Sequence, residues 1–408
     1  MDAATLKNYA DRIESELLGN ILPFWIKQVV DKPNGTFHGA LTNDLVVDRA
    51  ASRGALLSSR ILWTYSAAYR TYRDPQHLEM ANFAYRDLLD HFWDGEHGGF
   101  FWSIDAAGKP LNPRKQVYGQ AFAIYALSEY YRASGLRESL DRAVEIFGLL
   151  ERFARDRELG GYFEAFSREW GGIADMRLSE EDMNAPKSQN THLHVMEAYT
   201  NLLRVWPDVA LKSAQTELLD VMLNRILDEK TGHLRLFFSQ DWQSQSDGLS
   251  YGHDIEAAWL LMEAAEVLGH SQLVKRLGPI VVKIADVTLV KGVDADGGVF
   301  NSGNPSGVTD YEKEWWPQAE AVVGFLCAYR ISGDMRHLEA ALRCWDFIEA
   351  RLIDRKNGEW FRGVSREGAV LGRHQKVSFW KCPYHNGRAC MEASLRLRDI
   401  ALVMNFSP

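Results

Sequence analysis

The sequence predicts an all-α protein, an (α/α)6 barrel of twelve helices with short β-hairpins and loops at one end. Three observations carry this prediction. A glycine turn flanked by aromatic residues recurs along the chain, two kinds of helix alternate between the turns, and no linker or low-complexity tract divides the 408 residues. We therefore expect residues 1–408 to form one domain.

The recurring turn contains a glycine with aromatic or β-branched neighbours, as in His-Gly-Gly-Phe at 97–100 and Leu-Gly-Gly-Tyr at 159–162. Glycine accommodates the positive φ of a tight turn, and the residues that follow suit short strands. Successive turns lie 61 to 72 residues apart, which predicts six repeats of one unit rather than separate domains. The turn glycines are Gly35, Gly98, Gly160, Gly232, Gly297 and Gly358.

One kind of helix between the turns is amphipathic. Residues 208–227 place Val209, Leu218 and Leu223 near one face and Lys212 elsewhere. An apolar stripe with this period is typical of a helix that packs on a core with one side only. The same pattern occurs at 76–92, 136–155 and 336–353.

The other kind of helix is small and apolar on nearly every side, which is typical of a helix buried all round. The clearest segments are 120–130, 257–265 and 319–329. Alternation of the two kinds predicts six outer helices around six inner helices. The inner helices then run parallel, so their N-termini meet at one end of the barrel. The connections expected to line that end are 100–115, 160–187, 234–250 and 299–314.

The composition limits the partners and the compartment. A formal net charge of −9 without a basic cluster disfavours nucleic acid and anionic membranes as partners. Residues 1–7 are charged and lack the apolar core of a signal peptide, and no apolar run approaches the length of a membrane helix. The four cysteines form no CxxC pair and are expected to be buried, reduced thiols. We expect a cytoplasmic monomer or weak homodimer.

Polar and aromatic side chains stand near the start of every predicted inner helix, where an otherwise apolar helix has no need of them. Burial of a polar group without a partner costs free energy. Because the inner helices share one N-terminal end, we expect these side chains to converge on a single site. They are Arg60, Tyr118, Asn190, His253, Trp316 and Trp380.

Four of the twelve histidines open predicted inner helices, namely His192, His194, His253 and His385. His192 and His194 are two residues apart and so point to nearly opposite sides of a helix, which is poor geometry for chelation. We expect one to face the cavity and the other to be a hydrogen-bonded packing histidine, and we predict no metal site. The remaining histidines are expected at the surface: His38, His77, His91, His97, His233, His270, His337 and His374.

His253 and Glu256 are three residues apart and therefore neighbours on one helix face. A carboxylate beside an imidazole orients it and raises its pKa, so we expect Glu256 to hold His253 in one tautomer. No serine-hydrolase elbow, P-loop or dinucleotide fingerprint occurs in the sequence. Aromatic residues together with Arg, Asn, Asp and Glu at a barrel mouth suit a carbohydrate, because flat indoles cover the apolar face of a pyranose.

The segments that open the inner helices resemble those of the N-acylglucosamine 2-epimerase superfamily, and within it most resemble the cellobiose 2-epimerases. The likeness extends over essentially the whole chain, and that superfamily has the (α/α)6 barrel fold. The matching segments are 60–64, 190–195, 252–256, 315–321, 380–381 and 383–388.

The resemblance implies that His253 and His385 are the catalytic pair and that His194 is a third histidine near the sugar oxygens. We also expect Glu320, from the matching segment 315–321, to bind substrate. The further substrate-binding positions that the resemblance implies are Arg60, Tyr118, Asp182, Asn190, Glu256, Trp316 and Trp380.

The implied reaction is epimerisation at C2 of the reducing-end glucose of a β-1,4-linked disaccharide, converting cellobiose to glucosyl-mannose and lactose to epilactose. Ring opening acidifies the C2 proton, a neutral imidazole removes it, and the cis-enediolate is reprotonated on its opposite face. The resemblance implies no metal or redox cofactor, since nothing is oxidised overall. A small sugar is the expected partner.

Other activities remain open from the sequence. A monosaccharide 2-epimerase or an aldose–ketose isomerase uses the same enediolate, and we expect Trp170, Trp242 and Trp316 to stack a second sugar and so favour a disaccharide. A glycan-binding protein without catalysis has no need of several imidazoles. A glycoside hydrolase needs two carboxylates, for which the candidates are Asp182, Glu256, Glu314 and Glu320.

Overall fold

The computed structural model of the protein describes residues 1–406, with side chains to residue 404, and places twelve helices in two layers. The outer helices are α1 (Ala3–Glu16), α3 (Pro75–Asp87), α5 (Arg137–Leu149), α7 (Val209–Val221), α9 (Ser271–Lys291) and α11 (Met335–Phe347). The inner helices are α2 (Ala55–Tyr72), α4 (Val117–Ser134), α6 (Gln189–Leu203), α8 (Tyr251–Leu268), α10 (Trp315–Ser332) and α12 (Tyr384–Phe406).

Five of the six outer helices continue beyond their α-helical part into wider π-helical turns; α9 is the exception among the described residues. After α1 two such turns flank a short α-helix, Leu22–Phe24, and a 3-10 turn, Lys32–Asn34, follows. The π-helical turns are Leu17–Ile21, Trp25–Val29, Leu88–Phe92, Leu150–Ala154, Met222–Ile226 and Ile348–Leu352.

The inner helices close a ring. Each inner helix contacts the next along the chain, and α12 returns to contact α2, while every outer helix packs on an inner neighbour. The apolar pattern explains the two layers: residues 117–130 of α4 are all buried, whereas α11 buries mainly one face. The predicted barrel, with its alternation of amphipathic and fully apolar helices, is confirmed.

Within residues 1–406, sixteen short strands gather at the end of the barrel where the inner helices begin. They are β1 (Val30–Asp31), β2 (Thr36–Phe37), β3 (Arg53–Gly54), β4 (Ser103–Ile104), β5 (Pro110–Asn112), β6 (Lys115–Gln116), β7 (Ala165–Phe166), β8 (Lys187–Ser188), β9 (Leu227–Asp228), β10 (His233–Leu234), β11 (Phe237–Phe238), β12 (Leu249–Ser250), β13 (Ser302–Asn304), β14 (Gly307–Asp310), β15 (Lys313–Glu314) and β16 (Gly363–Val364). Their pairings are all antiparallel.

The strands join successive repeats. The strand that precedes an inner helix pairs with a strand that follows the next outer helix, as in β3–β4, β6–β7, β8–β11, β12–β13 and β15–β16. A single bridge between Leu41 and Val377 completes the sixth join. These pairings fix the N-terminal ends of the inner helices relative to one another, which is what a shared site requires.

Polar side chains of the inner helices anchor the predicted glycine turns. Gln120 and Gln318 bond both the N–H and the carbonyl of the residue after their turns, and His192 accepts a 2.8 Å hydrogen bond from the N–H of Tyr162. Gly161 has a φ of +78°, and a Cβ there would lie 2.5 Å from His192 Nε2. The turn therefore needs glycine both for its backbone conformation and for the close approach of the histidine.

Several buried ion pairs recur at the same place in the repeats. A lysine two residues before α4, α6 or α10 reaches back to the aspartate of the preceding turn, as in Lys115–Asp94 and Lys187–Asp156, both 2.8 Å long. A buried charge is tolerated when it is paired and hydrogen-bonded. The related pairs in other repeats are Arg53–Asp31, Lys313–Asp294 and Lys376–Asp354.

Of the remaining sequence predictions, some are confirmed and others are wrong. The four cysteines are buried and unpaired, as predicted. Within the described residues no helix combines the length and apolar character needed to cross a membrane. The surface prediction is wrong for His77, His233 and His337, which are buried in the barrel wall. His233 pairs there with Asp254, and His337 lies beside the Ser332 hydroxyl.

Candidate active site

A cavity of about 350 Å³ opens at the end of the barrel where the inner helices begin. Its walls come from all six inner helices, the segment before α12 and the loops that enter from the strands. Ten of the eleven predicted site residues line it, namely Arg60, Tyr118, Asp182, Asn190, His194, His253, Glu256, Trp316, Trp380 and His385. The structure therefore brings ten of the eleven predicted side chains together in one cavity, although their partners differ in places from the prediction.

Glu320 is the predicted residue that does not line the cavity. It lies behind His385, whose Nδ1 is 2.6 Å from Glu320 Oε1, and its other oxygen accepts a 3.0 Å hydrogen bond from Trp259 Nε1. A carboxylate accepts hydrogen bonds, so Nδ1 of His385 carries the proton and Nε2 presents a lone pair. Glu320 is thus placed to position His385 rather than to contact substrate.

His253 has a different environment. Its Nδ1 lies 2.9 Å from the hydroxyl of Ser250, the residue that caps α8, and its ring packs on Trp316 at 4.7 Å. The predicted pairing with Glu256 is wrong, because the Glu256 side chain turns to Arg388 instead. The predicted rise in pKa is also wrong: burial, with smaller effects from His194 and His385, lowers the pKa of His253 to about 3.

His194 has the carboxylate partner that the sequence had suggested for His253. Its Nδ1 donates to Glu197 three residues along α6 at 2.8 Å, and both side chains are buried. Burial lowers the pKa of His194 although Glu197 opposes the shift. His192 points away from the cavity and bonds the Ser188 carbonyl and the Tyr162 N–H, which makes it the packing histidine that the two-residue spacing predicts.

The three cavity histidines therefore share one electrostatic state. Burial disfavours the imidazolium form, and it lowers the pKa of His385 to about 3 even though Glu320 works against it. No hydrogen bond in the described part of the chain engages Nε2 of His194, His253 or His385. Three neutral imidazoles thus turn one ring nitrogen each toward the same space.

The floor of the cavity is a charged network around Arg388. Its Nη2 donates to Glu256 at 2.9 Å and to Glu320 at 2.7 Å, and its Nη1 donates to Glu197 and contacts the Tyr384 hydroxyl. Burial opposes ionisation of Glu320, but Arg388 and the hydrogen bond from His385 outweigh it and lower the Glu320 pKa to about 2. The network joins α6, α8, α10 and α12 beneath the histidines.

A second cation forms part of the side wall. Arg60 is buried, its Nη2 donates to the Tyr118 hydroxyl at 2.7 Å, and its guanidinium lies 4.2 Å from the Phe122 ring centroid. The indole of Trp380 stands beside Tyr118 at 6.2 Å. This wall offers a positive charge and flat aromatic surfaces together, which suits a polyhydroxylated ligand that gains negative charge.

The loop between β7 and β8 supplies the outer rim of the cavity. Asp182 lies on this rim, where its carboxylate accepts from the backbone N–H and the hydroxyl of Ser179. Trp170 and Trp242 do not line the cavity: both are buried, with Trp170 stacked on Phe153. The expectation that these two indoles stack a second sugar is therefore wrong, and of the three only Trp316 reaches the cavity.

Sequence reasoning missed three residues of the site: Ser250, Glu197 and Arg388. A signal for each was present. Ser250 stands in the N-cap position before His253, where serine is preferred. Glu197 and Arg388 each follow a cavity histidine by three residues, the same spacing that drew attention to His253 and Glu256.

Among the side chains that the structure describes, two groups bring metal-ligating atoms within 4.8 Å of one another, and both include Glu256. One adds His194 and Glu197, and the other adds Glu320 and His385. In both groups Arg388 donates to the carboxylates, so a guanidinium already supplies the positive charge at this position.

Comparison with known proteins gives a consistent family. The chain matches the family described as N-acylglucosamine 2-epimerase (GlcNAc 2-epimerase) over residues 35–386. It is 47% identical over 381 residues to the cellobiose 2-epimerase of Bacteroides fragilis, covering 93% of this chain and 97% of that protein. It is 38% identical over 398 residues to the cellobiose 2-epimerase of Dictyoglomus turgidum, with coverage of 97% and 100%.

Solved structures agree in fold. The cellobiose 2-epimerase from Bacillus thermoamylovorans superposes with a TM-score of 0.91 at 39% identity, covering 95% of this chain and 99% of that one. A D-mannose isomerase superposes with a TM-score of 0.81 at 22% identity, covering 95% and 97%, a likeness that shows the fold alone. The resemblance predicted from the helix-opening segments is confirmed, and the chain belongs to the N-acylglucosamine 2-epimerase family.

Proposed function

We propose that the protein is a cofactor-independent epimerase that inverts C2 of the reducing-end glucose of β-1,4-linked disaccharides, such as cellobiose and lactose. The observation that carries the proposal is the pair of buried, neutral imidazoles of His253 and His385 facing one cavity from different helices. Trp316 packs on both rings, at 4.7 Å and 5.7 Å. A carbon held beside that indole has a base within reach on more than one side.

The chemistry proceeds without net oxidation. The pyranose opens to the aldehyde, and a neutral imidazole takes the C2 proton, because only the neutral ring has a free lone pair to accept it. The electron pair from the C–H bond moves into the enediolate, whose oxygens carry the negative charge. A proton returned to the opposite face of C2 gives the epimer, and ring closure completes the reaction.

The side chains around the cavity favour the charged intermediate. Arg60 supplies a fixed positive charge, and all inner helices begin at this end, so the positive ends of their dipoles face the same space. Trp316 and Trp380 offer flat faces for the sugar rings. A disaccharide is favoured over a monosaccharide by the 47% identity with the Bacteroides fragilis protein, whose name gives cellobiose as its substrate.

A proton NMR time course of cellobiose with the enzyme in D2O tests the proposal. We expect a new anomeric signal from the C2 epimer, entry of deuterium at C2 and no free glucose. The matched control is His192→Gln, because His192 lies outside the cavity and glutamine fills its place in two other repeats. This variant should retain the activity.

Each other product identifies a different reaction. A ketose would show that the proton returns to C1, as in an aldose–ketose isomerase. Free glucose would indicate a glycoside hydrolase, and an unchanged spectrum with cellobiose but turnover of mannose would indicate a monosaccharide enzyme. Any of these results contradicts the disaccharide epimerase.

A further inference from the structure

Three carboxylates meet beneath the cavity histidines with a single guanidinium among them. Glu197, Glu256 and Glu320 are each at most 2% exposed, and all three accept hydrogen bonds from Arg388. Glu256 and Glu320 share the same nitrogen, Nη2. One cation cannot fully balance three buried anions, so the protonation states of these groups decide the charge that a substrate meets.

Two of the carboxylates have partners for both oxygens. Glu197 accepts from Tyr384 and Arg388 on Oε1 and from His194 on Oε2. Glu320 accepts from His385 and Arg388 on Oε1 and from Trp259 on Oε2. Hydrogen bonds to the charged form favour ionisation.

Glu256 differs from both. Its Oε1 accepts from Arg388, but its Oε2 is buried and has no hydrogen-bond partner among the described residues. A buried carboxylate oxygen without a partner is costly, whereas a carboxylic acid carries a proton there and is uncharged. Glu256 is also among the residues that line the cavity, so its unpartnered Oε2 belongs to a side chain that borders the space for the ligand.

The surrounding charges agree with this assignment. Like charges at a shared site cannot both ionise easily, and the group with more hydrogen bonds keeps the negative charge. Burial first and then the charge of Glu320 raise the pKa of Glu256 well above its usual range. The titratable and charged groups that face Glu256 are Arg60, Tyr118, His194, Glu197, His253, Glu320, Tyr384, His385 and Arg388.

We propose that Glu256 is an uncharged carboxylic acid in the free enzyme and that its Oε2–H donates a hydrogen bond to a negatively charged oxygen of the enediolate. This inference rests on the proposed function. An ionised Glu256 would repel the intermediate, whereas a neutral acid in a buried site stabilises it, as apolar burial of a carboxylic acid does in another enolising enzyme. The role differs from the orientation of His253 that the sequence had suggested.

Two substitutions of Glu256 distinguish whether this residue acts as a neutral carboxylic acid or as a charged carboxylate. Glu256→Gln keeps the shape, the acceptor for Arg388 and a donor toward the cavity, so we expect kcat within about tenfold of the wild type. Glu256→Ala removes the donor, and loss of one such donor costs roughly 10²- to 10³-fold in kcat. Equal loss in the two variants would overturn the proposal.

Infrared difference spectroscopy reads the protonation state without any substrate. The wild-type minus Glu256→Gln spectrum should contain the carbonyl band of a protonated carboxylic acid. Glu129→Gln is the matched control. Glu129 is also a buried glutamate, but Arg70 and Arg132, which donate hydrogen bonds to it, outweigh burial and lower its pKa, so its difference spectrum should contain carboxylate bands. Carboxylate bands from Glu256 would overturn its uncharged state, whereas a wild type that does not epimerise cellobiose would overturn the proposed function instead.

Discussion

His385 and His253 both present an imidazole to the cavity, but the side chain that bonds Nδ1 differs between the two walls. Both imidazoles are desolvated, and the pKa of each falls to about 3. Behind His385 stands the carboxylate of Glu320, which can only accept a hydrogen bond. Behind His253 stands the hydroxyl of Ser250, which can either donate or accept. The carboxylate fixes one tautomer, whereas the hydroxyl allows both.

In the proposed mechanism, this difference between the two partners lets one site move a proton in both directions. An imidazole locked with Nδ1–H has a permanent lone pair at Nε2, which suits a base. An imidazole whose partner can reverse its hydrogen bond presents either a lone pair or an N–H to the cavity. The variants below test whether the two walls act as unequal partners.

Removal of either imidazole should have the largest effect. We expect His385→Ala and His253→Ala each to lower kcat by roughly 10²- to 10⁴-fold, the usual contribution of a general acid or base. The measurement is the NMR rate of epimer formation, with circular dichroism to verify the fold. A folded variant with normal turnover would remove that histidine from the mechanism.

The partners of the imidazoles should matter unequally. Glu320→Gln can still accept from Nδ1 but loses the charge that fixes the tautomer, so we expect kcat to fall roughly 10²-fold, less than the loss of an orienting carboxylate in a serine protease. Ser250→Ala removes one neutral hydrogen bond, worth about 1 kcal/mol, so its effect should stay below about tenfold.

These two variants are compared by kcat and by the nitrogen chemical shifts of the labelled imidazoles, which report the tautomer directly. Only Glu320→Gln should alter the tautomer of His385, a change that a purely structural role would not produce. Equal losses of kcat in the two variants would show that the walls are equivalent.

Acid conditions should leave the bases of both walls active. Burial lowers the pKa of His253 and His385 from 6.5 to about 3, so the neutral form persists as the pH falls through 6.5. The profile of kcat/KM should therefore show no acid limb near pH 6.5. A limb at or above that value would mean that a cavity histidine is solvated and charged.

The lowered pKa values of His253 and His385 also predict how the stability of the protein depends on pH. Between about 3 and 6.5 the unfolded histidines bind protons that the folded ones do not, so the free energy of unfolding should decrease as the pH falls below 6.5. Urea unfolding at several pH values measures this slope. The contribution of these two histidines should be fully present above pH 6.5.

The indole between the two walls should give the smallest effect. Trp316→Phe keeps an aromatic face but reduces its area, so we expect KM to rise about three- to tenfold with little change in kcat. Trp242→Phe is the control, because Trp242 is buried outside the cavity and should leave KM unchanged. A fall in kcat for Trp316→Phe would show that the indole also aligns the histidines.

The limits of the sequence are clearest in three pairs of residues with the same spacing. His194 and Glu197, His253 and Glu256, and His385 and Arg388 are each three residues apart on an inner helix. Only the first pair bonds within the helix. In the other two, the second residue turns to a neighbouring helix, because Arg388 attracts the carboxylates more strongly than an imidazole does.

The barrel, its six repeats and ten of the side chains that line the cavity could be predicted from the sequence. Those properties follow from periodicity, since a helix that is apolar on all sides must be buried and parallel inner helices must begin at one end. Most hydrogen-bond partners of these side chains depend instead on how the helices pack against one another. Glu320 behind His385 and Arg388 among three carboxylates join helices far apart in the chain, whereas Ser250 precedes His253 by three residues at the start of the same helix. Which of them meet depends on distances of a few ångströms between helices, and helical periodicity does not specify those distances.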